Sequence, residues 1–471
     1  MVATTTIKGL FTLLGALIIH ITLGTLYSIS NMNSYVISYL HVIRQVDIDD
    51  SYAVWVFAGA AFGQASIMMV GGIIDSKIGS RWTAFIGGFI CALSNILCYW
   101  AVDSYIAVVL IFGLLFGWGV GLAYSPCLSA GMKWFPKHAG LISGVVVAGF
   151  GCGALIFNIV QTKLVNPDNL PTIPDVATNK SYFPYEVCER VPMAFIWLGC
   201  IYFVMIVAAS LMISTPTDEE DKLIHESSEA LIDTNIKEGL APKDIVKVWK
   251  FWEIYLTFFM NGLVVVFISS FYKFIANDFT NDDLFSSLVG SISSLCNGLS
   301  RPIWGYLSDK FGYKKVMCCI CFGVAFFTGT LILSEQGGKY LFFIWVCLLY
   351  FTIGGNFALF PAYTSRSFGT LYMSTNYGWI FTNQIFSSLI SAFAAPILVK
   401  KLGYNNIVIG IGCIMCVSFI MNILTKPWTY KQHPKFNLPT VVPTETTTET
   451  SAPSTESDKP APEKAVEVST N

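Results

Sequence analysis

Twelve apolar runs of about 20 residues are spaced along this chain, at roughly 8–29, 52–74, 83–102, 106–130, 139–163, 191–213, 252–274, 284–307, 316–334, 340–362, 374–399 and 404–425. Charge or turn clusters bound each of them. A helix that crosses a bilayer needs about 20 apolar residues, so the pattern points to a membrane bundle. Composition agrees: 54% of 471 residues are hydrophobic, about 254, and a dozen spans need about 240. Charged residues make up 12% of the chain, about half the share usual in a soluble domain. A soluble enzyme is excluded.

The runs fall six and six around a polar stretch, Ser214 to Lys250, which holds Asp218-Glu219-Glu220-Asp221 and little apolar periodicity. The expected fold is an all-α polytopic membrane protein with twelve transmembrane helices in two six-helix halves. Residues 1–213 form the first half and 214–250 a cytoplasmic linker of solvated loop or short surface helices. Residues 251–425 form the second half. The tail, 426–471, is rich in Thr, Pro and Glu, cannot bury a core, and is expected to be disordered. The first run is too long for the apolar region of a cleavable signal and lacks a small-residue cleavage site, so it stays as the first span.

Lys and Arg set the orientation. With the N-terminus inside, nineteen of the 28 fall in cytoplasmic segments and eight in outer ones, which puts both termini in the cytoplasm. The plasma membrane is the default location; an organelle membrane stays open, because no sorting signal is legible. The loop between the fifth and sixth spans is then outside and carries a glycosylation sequon at Asn179-Lys180-Ser181. A net charge of −2 gives no reason for a nucleic-acid partner. The 13 cysteines form no metal-spaced set and lie mostly in apolar runs, where they serve as small hydrophobes. No metal or cofactor is implied, and an accessory subunit stays open. Ser/His/Asp sets, paired carboxylates and phosphate loops are all missing, so no catalysis is expected.

All 30 Asp and Glu fall in loops, tails or span ends. Two loops share a pattern: Gly71 to Arg81 reads G-G-I-I-D-S-K-I-G-S-R after the second span, and Gly305 to Lys315 reads G-Y-L-S-D-K-F-G-Y-K-K after the eighth. A tight helix–loop–helix of this kind lets glycines pack closely and lets Asp75 or Asp309 cap a neighbouring helix. Arg81 and Lys310 can pair with those acids or with lipid headgroups. Recurrence six spans apart is what parallel structural repeats produce.

With these motifs the chain resembles the major facilitator superfamily, whose signature is this loop. The resemblance makes Gly71, Asp75, Arg81, Gly305, Asp309, Lys310 and Gly312 gating residues. The second copy matches that signature fully; the first has one extra residue before Gly79 and a single terminal cation. G-T-L-Y-S (Gly24 to Ser28), G-L-A-Y-S-P, the run Lys133 to Ala154 and N-Y-G-W-I-F-T (Asn376 to Thr382) make it similar to the oxalate/formate antiporter and monocarboxylate transporter branch. That similarity covers about residues 8–425.

Arg301 is the one Lys or Arg inside a span. A guanidinium at that depth is costly and faces a cavity or a partner. No acid within the spans neutralises it, so an anionic ligand is the natural counter-charge; bonding to helix carbonyls is the competing reading. Asn297 lies one turn before it, with Ser294 and Gly290 on the same face. By resemblance, Arg301 matches the eighth-span arginine that binds the substrate carboxylate in this branch. Animal monocarboxylate carriers have an Asp four residues earlier, where this chain has Asn297, which places it nearer the microbial side without that ion pair. Oxalate carriers place a lysine where Gln384 stands. One buried cation balances one carboxylate, whereas oxalate has two. Asn383, Gln384, Ser387 and Ser391 form a polar stripe able to bond a keto or hydroxyl oxygen, or a neighbouring helix.

His20, Gly24, Tyr27 and Asn31 share one face of a uniform helix. Tyr27 matches the family's pore-lining tyrosine, and Tyr124 is a second aromatic candidate. His20 is the one ionisable group deep in the first half, and so either packs as a neutral ring or couples transport to protons. Arginine does not deprotonate; without His20, anion exchange is the natural mode. The expected function is secondary active or facilitative transport of a small monocarboxylate, of the pyruvate, lactate or formate class, by alternating access. An oxalate-like dicarboxylate exchanger and a non-transporting receptor of the same fold are the alternatives.

Overall fold

The computed structural model describes residues 2–46, 53–175, 180–226, 239–280 and 283–435. Asn179 and the tail beyond residue 435 lie outside them. Each apolar run is a helix, because in hydrocarbon the backbone must satisfy its own polar groups. The first half holds Val2–Leu23, Ala53–Ile78, Ser80–Ala101, Tyr105–Trp134 (four residues of α-helix, a π-helical stretch Val109–Leu115, then α-helix again), Ala139–Val165 and Val191–Met212. The second half holds Trp249–Thr280, Asp283–Phe311, Tyr313–Gly329, Lys339–Phe368, Met373–Phe381 continuing from Asn383, and a twelfth helix ending at Leu424. Gly403, at φ 76°, divides the last two. Among the described residues nine helices are long and apolar enough to cross a membrane by themselves. The eighth is not one of them, being seeded with serines, Asn297 and Arg301.

The two signature loops fold alike despite the extra residue in the first. Gly79 (φ 84°) and Gly312 (φ 86°) each join two helices in a conformation that L side chains rarely adopt. The halves meet along two pairs of spans, the second against the eleventh and the fifth against the eighth. Both seams are backbone against backbone. A Cβ on Gly72 would meet the Thr375 backbone, and one on Gly305 would meet the Gly140 carbonyl, so glycine is required at these close approaches.

Two expectations change. The first span is not a uniform helix: Gly24–Ser28 forms a 3-10 turn, and helix then resumes over Ile29–Val42, well past residue 29. The turn breaks the face that an unbroken helix would give His20, Tyr27 and Asn31. Asn31 bonds Gln161 (3.0 Å), while Tyr27 is 39% exposed. The loop after the fifth span contains a small hairpin, Ile173–Asp175 with Lys180–Tyr182, and Cys188 is buried in a helical turn rather than lying in open loop. The seventh helix begins at Trp249, so Glu253 is buried near its start with Lys250 (3.0 Å).

The polar stretch between the halves carries two short helices, Asp218–Glu226 and Pro242–Ile245. Lys8 bonds Glu220 at 2.6 Å and holds that carboxyl below the usual carboxylate range. The contribution of this pair is lost only as pH falls through that lowered value. Leu240 donates its N–H to the Phe368 carbonyl (2.8 Å) and accepts from the Asn376 side chain (3.0 Å), which fastens the second end of the stretch to the loop between the tenth and eleventh spans.

Candidate functional site

Arg301 is 1% exposed and lies where the fifth and eighth spans cross. Nη1 donates to the Val147 carbonyl (2.7 Å) and Nη2 to Asn297 Oδ1 (2.8 Å), while Nε has no partner among the described residues. These bonds use two of its five N–H donors. The guanidinium also lies 5.1 Å from the centre of the Phe357 ring. Among the described residues no Asp or Glu comes within ion-pair distance of it. Lys250 is equally buried, but Glu253 neutralises it. Local sequence explains the position. Pro302 cannot donate to the Gly298 carbonyl, which loosens the helix beside Arg301. Two glycines let the fifth span close on the eighth here: a Cβ at Gly144 would strike the Arg301 carbonyl, and one at Gly151 would press on Gly298 Cα at 3.0 Å.

From Arg301 a chain of aromatic contacts runs into the first half. Phe357 meets Phe258 (6.3 Å), Phe258 meets Phe381 (5.7 Å), Phe381 meets Tyr124 (6.1 Å), and Tyr124 meets His20 (4.8 Å). Phe150 touches His20, Tyr27 and Tyr124 together. His20 is fully buried; its Nδ1–H donates to the Ala16 carbonyl (3.0 Å) and Nε2 has no partner. Tyr377 joins this chain through Tyr124 (6.5 Å) and Phe381 (5.8 Å).

A second arrangement lies at the end that carries the polar stretch. Asp309 accepts from the N–H groups of Gly140 (2.9 Å) and Leu141 (2.8 Å), the first turn of the fifth span, and from Arg366 (2.5 Å). Asp75 accepts from Ser80 (2.7 Å) and from Ser374 (2.5 Å), at the start of the eleventh span. Each half thus sends one acid to the beginning of a helix in the other.

The family model described as Major Facilitator Superfamily matches residues 17–272 and 254–444. The chain belongs to that superfamily. It is 27% identical over 469 aligned residues to apicoplast pyruvate carrier 1 of Toxoplasma gondii, covering 85% of each chain. To the oxalate:formate antiporter of Oxalobacter formigenes it is 28% identical over 357, covering 73% of this chain and 75% of that one. Its fold is similar to that of the proton:xylose symporter XylE, at a TM-score of 0.70, 13% identity, 90% of this chain and 97% of the other. The transporter FucP gives 0.66, 14%, 88% and 99%. This major facilitator protein is a multi-pass membrane transporter and not an enzyme.

Of the residues singled out from sequence, Arg301, Asn297, Tyr124 and His20 gather at the centre of this transporter, and Tyr27 sits beside them through Phe150. Gln384 and Asn383 turn elsewhere. Gln384 donates to Asn383 (2.6 Å) and faces Gly262 of the seventh span, and Asn383 donates to the Ile380 carbonyl (2.5 Å). Arg81 donates to the Ile213 carbonyl (2.7 Å) rather than to Asp75. The cation on Asp309 is Arg366, not Lys310. Sequence reading missed Phe150, Phe357, Tyr377, Ser374 and Arg366. Of these, Phe150 and Tyr377 carried a signal, Phe150 in the run Lys133 to Ala154 and Tyr377 one turn before Phe381 in the N-Y-G-W-I-F-T run.

Proposed function

We propose that this transporter carries a small monocarboxylate of the pyruvate, lactate or formate class by alternating access, with Arg301 holding the carboxylate. One observation carries the reading: Arg301 is a buried cation that no acid among the described residues neutralises, and its Nε–H is uncommitted. A single anion supplies the missing charge and accepts that donor. Asn297 orients the guanidinium, and Tyr124 and Tyr27 line the approach to it. The two relatives named for pyruvate and for oxalate and formate support the substrate class. Gln384 in place of a second cation favours a monocarboxylate over oxalate. The count of Lys and Arg supports cytoplasmic termini; the plasma membrane is the default location, with an organelle membrane as the alternative.

Purified protein in liposomes is expected to take up labelled pyruvate, with lactate competing well and oxalate poorly. Flux of sugars or cations with no carboxylate uptake overturns the reading. Exchange is the intrinsic mode, because an empty, charged Arg301 returns slowly. Net uptake driven by an inward proton gradient then needs a group that changes protonation, and His20 is the candidate. In His20→Gln the stimulation of net uptake by the gradient is expected to fall to about onefold. Stimulation equal to that of the original protein rules out His20 as the carrier of the proton.

A further inference from the structure

Near the centre of the bundle the Tyr377 hydroxyl is fully buried and has no partner among the described residues. Its ring packs against Tyr124 (6.5 Å) and Phe381 (5.8 Å), members of the aromatic chain that leads through Phe258 and Phe357 to Arg301, whose Nε is also unpartnered among the described residues. Packing does not explain the hydroxyl. One turn along the same span, Phe381 fills the neighbouring space against the same Tyr124 with a plain ring. A phenylalanine at 377 would do likewise without burying a polar atom, which is costly unless something bonds it. The pair therefore offers two donors of different strength, a charged one on Arg301 and a neutral one on Tyr377.

A carboxylate with an oxygen on the adjacent carbon matches that pair; formate, acetate and propionate lack the second oxygen. We infer that Tyr377 is a specificity-determining residue whose hydroxyl donates to the 2-oxygen of a 2-oxo or 2-hydroxy acid held through its carboxylate by Arg301. This rests on the carboxylate reading above and narrows it to acids such as pyruvate and lactate. A neutral hydroxyl donates equally to a keto or a hydroxyl oxygen, so Tyr377 separates oxygenated from unsubstituted acids but not pyruvate from lactate. Selectivity of this kind arises because a site polar group left unpaired by the wrong substrate costs binding.

The test compares three acids with the same three-carbon skeleton, pyruvate, lactate and propionate, as competitors of labelled pyruvate exchange in liposomes. The original protein is expected to bind pyruvate and lactate at least about tenfold better than propionate. In Tyr377→Phe the advantage is expected to shrink to about twofold, because the two oxygenated acids weaken and propionate does not. If exchange is too slow to measure, thermal stabilisation of the purified variant by each acid gives the same ranking. Propionate equal to pyruvate in the original protein overturns the inference. So does a Tyr377→Phe protein in which all three acids weaken alike, which would make the hydroxyl a carboxylate ligand or a packing group. Failure of every acid to compete or stabilise is a different result: it removes the carboxylate reading itself, and this inference with it.

Discussion

Replacing Arg301 with glutamine is expected to cut carboxylate uptake by at least about 100-fold while leaving the folded protein as stable as before. A bond between a charged donor and a carboxylate is worth about 1.5–3 kcal/mol, and leaving a buried charge without its partner costs about 3–5 kcal/mol. Each 1.4 kcal/mol is about tenfold, so the loss falls at roughly 100-fold or beyond. Stability separates this role from a structural one. Arg301 joins the Val147 carbonyl of the first half to Asn297 of the second, so a purely structural arginine would weaken the protein when removed. Yet it is buried with no acid among the described residues, and removing it relieves the cost of keeping a lone charge out of water. Arg301→Lys keeps the charge and loses the planar fork, and is expected to retain a few per cent of uptake. Uptake in Arg301→Gln within threefold of the original, or a lowered melting temperature with uptake per folded molecule intact, refutes the binding role.

The fold was legible because the forces that make it are local. A run of 20 apolar residues between charges must be a spanning helix, and a glycine at a tight joint shows its purpose in the motif. Arg301 was legible for the same reason: a charge inside an apolar run needs no partner in view to be conspicuous. What escaped depends on distant residues. Glu253 stands at a span end as read, but its burial between Lys250 and Thr425, 172 residues away, which donates to it at 2.5 Å, had no sign in the sequence. Arg366 took the place on Asp309 that adjacency gave to Lys310, since reach across a loop depends on helix ends and not on sequence distance. The 3-10 turn at Gly24–Ser28 was invisible because it follows from contact: a Cβ on Gly24 would meet the Phe150 carbonyl. Tyr377 looked like one more aromatic residue until its hydroxyl was found without a partner.

The two signature loops look equivalent in sequence, but their bonds differ, and so should their weights in holding the halves together. Asp309 receives two N–H groups at a helix N-terminus and the Arg366 guanidinium; Asp75 receives two serine hydroxyls. The first set is charge-assisted and reinforced by the helix dipole, whereas bonds from hydroxyls are worth about 0.5–1.5 kcal/mol each. Asparagine keeps the shape of either side chain and removes its charge. In Asp309→Asn a loss of about 2–3 kcal/mol shifts the balance away from the joined state by roughly 30–150-fold. Asp75→Asn is expected to shift it no more than about fivefold. Hydrogen exchange reads this directly: the Gly140 and Leu141 amides, which donate to Asp309, lose protection in Asp309→Asn, while amides around Ser374 change little in Asp75→Asn. The Gly140–Gly305 backbone contact makes the same point by another route. Gly305→Ala places a methyl group against the Gly140 carbonyl, so it must force that seam apart and expose the same two amides with Asp309 unchanged. Equal effects from the two aspartates, or protection of Gly140 and Leu141 in Gly305→Ala, would mean that the joint is not held by the loop after the eighth span.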